Sequence, residues 1–399
     1  MNAIIPPRQR GACPSLSTPM PTGDGLLARV NPIGGALRPA DLAALAQAAA
    51  RFGNGILEIT LRGSLQIRGL RDDTVAGMNA AVKALGIAIR AGLPIDVAPL
   101  AGLCADERGD PRPLARAIQA HTADFAANLG PKVSVVIDGG GPSMLDGVQA
   151  DVRLTALDTS LWQVALAGDV DTATPLSVHD GDAAVASTVT LLRRIADCGR
   201  RARGRDLLQA QPSSMPQHSP KVELRPGDTV PLTDGLVAAV VALPFGAVTA
   251  DTLAAFSAAM HAVGIAEFRL SPNRMLILLC PDEATAAAAL ARAAPFQVIT
   301  RPDDPRLRIV ACAGAPACAS GYYNTRQLGQ ELAVQAPEWL DDRFLLHLSG
   351  CEKQCAKPAG AHVDVIGAPG TRKIVANGIV LPADFGDTLT TQTPMQRAS

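Results

Sequence analysis

The order of apolar and polar positions repeats in two long stretches of the chain. In the first stretch the pattern predicts a strand, a helix, two strands around a tight turn and a second helix, at residues 26–31, 39–52, 56–61, 65–68 and from about 72. The second stretch predicts the same order at residues 236–242, 249–262, 267–270, 275–279 and from about 282. Alternating apolar residues between turn signals are typical of strands, and alanine-rich runs that begin at Pro or Thr are typical of helices.

A nearly constant spacing between matching segments indicates an internal duplication. The Asp-Gly-Leu sequence at 24–26 recurs at 234–236, and the run at 132–140 resembles the run at 343–351, so the two copies are 210 to 211 residues apart. Because the matches follow in the same order, we expect two structurally similar halves. A stretch at 211–228 that is rich in Pro, Ser, Gln and Gly is predicted to link them.

Half of the eight cysteines stand in two tight pairs near the C-terminus, Cys312 with Cys318 and Cys351 with Cys355. In a reducing compartment such pairs are usually held by a metal ion or a cluster rather than joined as disulfides. Zinc sites favour two to four residues between paired ligands, so the five residues inside the first pair favour an iron–sulfur cluster. On spacing alone, zinc and unligated thiols remain the alternatives.

The first half of the chain lacks this cysteine pattern. Gly140 and Met144 stand where the second half has its last two cysteines, so only the C-terminal half can supply four clustered thiolates. The remaining cysteines look isolated, and burial as small apolar side chains is expected for them; they are Cys13, Cys104, Cys198 and Cys280.

Composition limits the classes of partner. The 399-residue chain has a formal net charge of −1, so bulk charge favours neither nucleic acid nor a membrane surface as a partner. Its apolar runs are too short to cross a bilayer, and residues 1–10 lack the apolar core of a secretory signal, so a cytoplasmic protein is expected. The six histidines show no metal-ligand spacing, and His347 is predicted to face solvent or a partner sheet.

Polar and cationic residues gather at the two predicted turns. Arg62 ends a strand and Gln66 and Arg68 follow the turn, where they can meet an acidic ligand, because a guanidinium binds a carboxylate through two parallel hydrogen bonds. Solvent-exposed arginines on a hairpin are the alternative. Further candidates for carboxylate binding lie after an extended segment and in the second turn; they are Arg108, Arg112, Arg116, Asn273 and Arg274.

The two cysteine pairs, the Thr60-x-Arg62-x-x-x-Gln66 turn and the duplication together resemble the sulfite/nitrite reductase family, over residues 10–384. The resemblance implies an α+β, internally duplicated fold of two ferredoxin-like half-domains plus two α/β domains. The implied units are an N-terminal segment with the first half-domain, a first α/β domain without a cluster, a linker with the second half-domain, and a second α/β domain that carries the cluster, at 1–92, 93–210, 211–300 and 301–399.

Members of this family hold a tetrapyrrole at the domain junction beside a [4Fe–4S] cluster. The resemblance assigns the cluster to Cys312, Cys318, Cys351 and Cys355. It assigns Arg62 and Gln66 to tetrapyrrole or substrate contacts, and Lys132 to the first of two lysines that reductases direct at an anion on sirohaem iron. The chain departs from the pattern in having Ser134 for the second lysine, Ala313 for a proline and Lys357 for an arginine. The missing lysine disfavours the alternative function, sirohaem-dependent sulfite or nitrite reduction.

The run at 10–26 resembles one branch of the family, in which the tetrapyrrole is the substrate. That resemblance implies O2-dependent hydroxylation of precorrin-3A at C20 with lactone formation, in aerobic cobalamin biosynthesis. A cluster passes one electron at a time, so O2 must be activated by a further non-haem iron or by the electron-rich precorrin itself. No Gly-x-Gly-x-x-Gly fingerprint follows a predicted strand, so a separate reductase, or NADH acting through one, is expected as the electron source.

Overall fold

The computed structural model of the chain describes residues 14–142, 145–208, 223–358, 360–381 and 385–386. Residues 20–84 form the first half-domain, in the order β1 (Met20–Thr22), β2 (Gly25–Val30), β3 (Ala36–Leu37), α1 (Pro39–Phe52), β4 (Ile56–Ile59), β5 (Leu65–Leu70) and α2 (Val75–Ala84). Residues 95–197 form the first α/β domain, in the order β6 (Ile95–Val97), α3 (Pro111–His121), β7 (Val135–Asp138), β8 (Ala150–Ala156), β9 (Leu161–Gly168), β10 (Thr174–Asp180) and α4 (Gly181–Asp197).

The second half of the chain repeats both units. Residues 229–293 form the second half-domain, in the order β11 (Thr229–Pro231), β12 (Val237–Ala242), β13 (Ala247–Thr249), α5 (Ala250–Ala262), β14 (Glu267–Ser271), β15 (Met275–Cys280) and α6 (Glu283–Ala293). Residues 309–375 form the second α/β domain, in the order β16 (Ile309–Ala311), α7 (Thr325–Gln335), β17 (Leu345–Ser349), β18 (His362–Ala368) and β19 (Thr371–Val375).

The two half-domains exchange a strand. Their sheets have the orders β1-β2-β5-β4-β13 and β11-β12-β15-β14-β3, so each sheet ends in a strand from the other half. Leu37 of β3 lies opposite Phe268 of β14, and Ala247 of β13 lies opposite Glu58 of β4. The exchange follows the internal duplication and joins the halves through backbone hydrogen bonds.

A single apolar core lies under both exchanged sheets and contains side chains from both half-domains. Helix α1 shows how the sequence builds it. Pro39 occupies the first turn, and Leu42, Leu45 and Ala49 are buried at spacings of three and four residues, so one stripe of the helix faces inward. The N–H of Gly53 donates to the carbonyl of Ala49 and ends the helix.

The two α/β domains share the order and directions of four strands, to which the first domain adds β10. In the first, β6, β7 and β8 are parallel and β9 is antiparallel to β8. In the second, β16, β17 and β18 are parallel and β19 is antiparallel to β18. Parallel strands whose connections cross over leave loops at their carboxyl ends, where functional groups collect in such folds.

The structure confirms the α+β, internally duplicated fold class. The first predicted helix has the observed bounds, whereas the helix predicted from about 72 begins at Val75, because Thr74 closes a turn with Arg71. Most of the predicted linker, at 211–222, and the run at 10–13 lie outside the described residues. Among the described helices, none is both long and apolar enough to cross a membrane.

Because the core is shared, replacing Phe268 with Ala is expected to lower the free energy of unfolding by about 3–5 kcal/mol. The Phe268 ring is fully buried and stacks on Phe256 with their centroids 5.8 Å apart. Chemical denaturation of the variant measures the loss. The matched change at the exposed Val334 is expected to stay within about 0.5 kcal/mol. A loss below about 1 kcal/mol for the Phe268 variant would contradict the shared core.

Candidate functional site

The four paired cysteines gather at one end of the sheet of the second α/β domain. Cys312 directly follows β16 and Cys351 follows β17 after Gly350, and these two strands are parallel neighbours. Cys318 lies in the loop that leads to α7, and Cys355 lies in the loop between β17 and β18. All four are free thiols.

Glycines let the backbone approach these thiols. The N–H of Gly350 donates to the Sγ of Cys312 at 3.1 Å. A Cβ on Gly23 would lie 2.4 Å from the Sγ of Cys318, and a Cβ on Gly350 would lie 3.6 Å from the Sγ of Cys312. The thiols therefore sit in a close backbone cradle that a side chain at Gly23 would occupy.

The thiols also influence one another electrically. Burial raises the pKa of Cys355, and the charges of the other three thiolates raise it further. Grouped thiolates repel one another. A bound cation offsets this repulsion and keeps the thiols deprotonated. Within the part of the chain that the structure describes, no group of three or more His, Cys, Asp or Glu side chains is arranged to bind a single metal ion.

A cavity of about 410 Å³ lies between the first half-domain, the first α/β domain and the turn after β14. Its volume is within the range of small-molecule sites. Three guanidiniums and one carboxylate line it, those of Arg62, Arg90, Arg116 and Asp96. Its other walls are mainly apolar and include Ile33, Ile95, Val97, Leu145, Val148 and Leu270.

Arg62 is held at the edge of this cavity by the first α/β domain. Its guanidinium donates to Asp96 at 2.6 Å, to the carbonyl of Gln149 at 2.8 Å and to the hydroxyl of Ser134 at 3.3 Å. Arg90 binds the other oxygen of Asp96. Burial raises the pKa of Asp96, but the two guanidiniums outweigh it and hold this pKa below its usual value. Asp96 thus stays charged and fixes both arginines.

Gln66 and Arg68 do not line the cavity but belong to a buried ionic network. Arg68 donates two hydrogen bonds to Asp24, at 2.7 and 2.8 Å, and a third to Glu58 at 3.3 Å. The amide nitrogen of Gln66 donates to Glu58 at 3.0 Å, and its amide oxygen accepts two hydrogen bonds from Arg29, both at 2.9 Å. Both side chains are engaged by Asp24, Glu58 or Arg29, so their predicted substrate contacts gain no support from their position.

The second turn separates its two candidates. Asn273 is exposed, whereas Arg274 is half-buried. Burial lowers the pKa of Arg274; nearby Glu58 opposes this shift and Arg326 adds to it. Arg274 therefore lies beside the ionic network rather than in the cavity. Its backbone φ of +63° marks a tight turn.

The candidates in the first α/β domain are also divided. Lys132 is exposed and lies two residues before Ser134, at the edge where Arg62 docks. Arg112 binds its own helix-capping carboxylate, Asp110, at 2.8 Å, and this hydrogen bond raises the pKa of Arg112. The guanidinium of Arg108 lies 3.5 Å from the carbonyl of Ala156. Neither Arg108 nor Arg112 lines the cavity, whereas Arg116 does.

Sequence reasoning missed Arg90 and Asp96. A lone acidic residue in the apolar segment 93–100 was the available signal. His347 does not face solvent, one of the two alternatives predicted for it, because the ring is fully buried and its Nδ1 lies 2.7 Å from Asp364. Burial lowers the pKa of His347 even though Asp364 opposes the shift, so this imidazole is neutral.

Cys104 corresponds in position to one of the paired cysteines of the other half. Strand β6 and helix α3 precede β16 and α7 by the same 214 residues, so Cys104 occupies the position of Cys318 in the other half. Of the remaining three, Cys280 is buried as expected, Cys198 is exposed, and Cys13 lies outside the described residues.

Comparison with known proteins agrees with this architecture. Residues 18–85 match the family model of the nitrite/sulfite reductase ferredoxin-like half domain. A solved structure of the Mycobacterium tuberculosis NirA protein superposes with a TM-score of 0.64 at 20% identity, and the match covers 91% of this chain and 79% of that one. A precorrin-3B synthase from Sinorhizobium is 39% identical over 396 residues, 95% of this chain and 86% of that protein. The chain therefore belongs to the precorrin-3B synthase branch of the sulfite/nitrite reductase family.

Proposed function

We propose that this chain hydroxylates precorrin-3A at C20 with O2 and forms a lactone, as a monooxygenase of aerobic cobalamin biosynthesis. The relative from Sinorhizobium, a precorrin-3B synthase, supports the assignment. The observation that carries it in the structure is the arginine-lined cavity at the junction of the half-domains and the first α/β domain. A precorrin is an apolar ring with several carboxylates, so it needs apolar walls and cationic side chains.

The cavity provides both. Three guanidiniums against one carboxylate leave its lining with an excess of positive charge. Asp96 fixes the forks of Arg62 and Arg90 through hydrogen bonds, which reduces the entropy that binding a carboxylate would cost. A lactone closes onto a carboxylate of the substrate itself, so holding the carboxylates in place also orients the reaction.

The four thiols fit a [4Fe–4S] cluster. Their proximity, the N–H···S hydrogen bond from Gly350 and the glycine cradle are features that favour thiolate ligation. We propose that Cys312, Cys318, Cys351 and Cys355 hold the cluster, which when bound supplies electrons one at a time. Inserting one oxygen atom of O2 and reducing the other to water takes two electrons and two protons, from a separate reductase or NADH. Free thiols also fit a reducing compartment such as the cytoplasm.

Sirohaem-dependent reduction of sulfite or nitrite is the second candidate, because the fold is shared with NirA. Ser134 argues against it. That position is 3% exposed and its hydroxyl accepts a hydrogen bond from Arg62, so it presents no second cation to a small anion. An absorption spectrum of the purified protein with a strong Soret band would favour sirohaem and overturn the first proposal.

Replacing Cys351 with Ser is expected to remove most of the iron and acid-labile sulfide, because one of four ligands is lost. Metal analysis of anaerobically purified protein measures both. The control is Cys198→Ser, since Cys198 is exposed at the end of α4. Wild-type protein that contains zinc, or iron without sulfide, would contradict the assignment of the cluster.

Replacing Arg62 with Ala is expected to weaken precorrin binding by about 2–3 kcal/mol, because a charge-assisted pair with a carboxylate is lost. Asp96 keeps Arg90 as a partner, so the fold should tolerate the change. The measurement is the dissociation constant by fluorescence or absorbance titration. Arg38→Ala, which removes an exposed guanidinium paired with Asp41, is the control. Equal affinities of the wild-type and Arg62 proteins would exclude Arg62 from the site.

A further inference from the structure

The ionic network of the first half-domain extends to both ends of the loop between Cys312 and Cys318. Its centre is the ion pair of Arg68 with Asp24, whose side chains are 10% and 4% exposed. Asp24 also accepts hydrogen bonds from Thr22 and Asn54. The turn that carries Asp24 is therefore held rigidly on β2 and β5.

This turn touches the Cys318 end of the loop. The carbonyl of Gly23 accepts a hydrogen bond from the N–H of Ala319 at 2.8 Å. Gly23 also lies so close to Cys318 that a Cβ would be 2.4 Å from its sulfur. Holding Asp24 therefore holds the neighbour of Cys318.

The other arm of the network reaches the Cys312 end. Glu58 accepts hydrogen bonds from Arg68 and from Arg326, which lies in the first turn of α7. The residue before it, Thr325, donates its hydroxyl to the carbonyl of Cys312 at 2.7 Å. Both ends of the loop that bears two of the four thiols are thus tied to the same buried charges.

The second half-domain repeats the backbone of this network without its charges. Gln66 lies between Arg29 and Glu58 across β2, β5 and β4. At the same register of β12, β15 and β14, Leu278 lies between Ala239 and Phe268. The turn at Asp234, which corresponds to the turn at Asp24, still contacts the segment after β6, since the N–H of Thr233 donates to the carbonyl of Leu103 at 2.8 Å. At this register, charged side chains lie in the half-domain whose turn contacts Cys318, and apolar side chains lie in the other.

Stability alone does not explain the network. Well-packed apolar residues in place of buried ion pairs are often as stable or more so, and the second half-domain has that arrangement. A network of fixed geometry restricts where the attached loop can lie.

We infer that Asp24, Glu58 and Arg68 are positioning residues that fix the Cys312–Cys318 loop and thereby set the stability and electronic environment of the bound [4Fe–4S] cluster. The inference rests on the cluster of the proposed function. It assigns a role to Asp24, the first residue of the Asp-Gly-Leu sequence at 24–26.

The test compares Asp24→Asn and Glu58→Gln with Asp151→Asn, a control that weakens the bidentate pair of Asp151 with Arg203 in the first α/β domain. The two network variants are expected to lose cluster iron to a chelator about 10-fold faster than wild type. The EPR spectrum of the reduced cluster is expected to change as well. The control is expected to lower the unfolding temperature without either effect.

A second variant separates positioning from folding. Gly23→Ala leaves the residues of the ion pairs in place but puts a methyl group against Cys318, so it should accelerate iron loss by more than any fall in its unfolding temperature accounts for. Gly147→Ala, where a Cβ meets nothing within 4 Å, is its control. Wild-type rates and spectra in Asp24→Asn, Glu58→Gln and Gly23→Ala, or equal effects in Asp151→Asn, would overturn the inference. Wild-type protein without iron and sulfide would instead overturn the proposed function, and the inference with it.

Discussion

The exchange of strands between the half-domains is the constraint on which the rest of the structure depends. A sheet that lacks its edge strand exposes unpaired backbone groups, so β3 and β13 each complete a sheet that the other half begins. The exchange also brings the two turns together, since the N–H of Asn273 donates to the carbonyl of Leu61 at 3.1 Å. The cavity and the ionic network both lie beside this contact, so their geometry follows from the duplication.

The two halves share a backbone plan but differ in chemistry at a few positions. Four cysteines gather in the second α/β domain, whereas the corresponding region of the first domain has Cys104 beside glycines. At corresponding registers, the residues paired across neighbouring strands are polar in the first exchanged sheet and apolar in the second. Since the strand registers correspond, side chains rather than topology account for the difference. A pseudo-symmetric scaffold can thus carry grouped thiols in one half and an arginine-lined cavity beside the other without a change of fold.

Local patterns were enough to predict the helices and the longer strands of the two half-domains and to single out the paired cysteines. They were not enough for the strand exchange, because β3 and β13 have only two and three residues and carry too little periodicity. Arg68 illustrates the limit for the site. Its place after a turn suggested an exposed cation, but its partner Asp24 is distant in sequence and no local pattern links them. The same holds for Asp96 with Arg62. Contacts between elements decided these roles.

Ser134 shows how one buried position can change what the shared fold binds. A lysine there would place a second cation beside Arg62, from which the serine hydroxyl is now 3.3 Å away, and the two charges would repel in a partly desolvated site. A bound anion would relieve that repulsion, which suits a reductase of small oxyanions. The serine instead accepts a hydrogen bond and fixes the guanidinium. The remaining cations, Arg62, Arg90 and Arg116, line the cavity among apolar walls, with Arg62 and Arg90 on the two oxygens of Asp96, so they suit a ligand that carries carboxylates on an apolar ring.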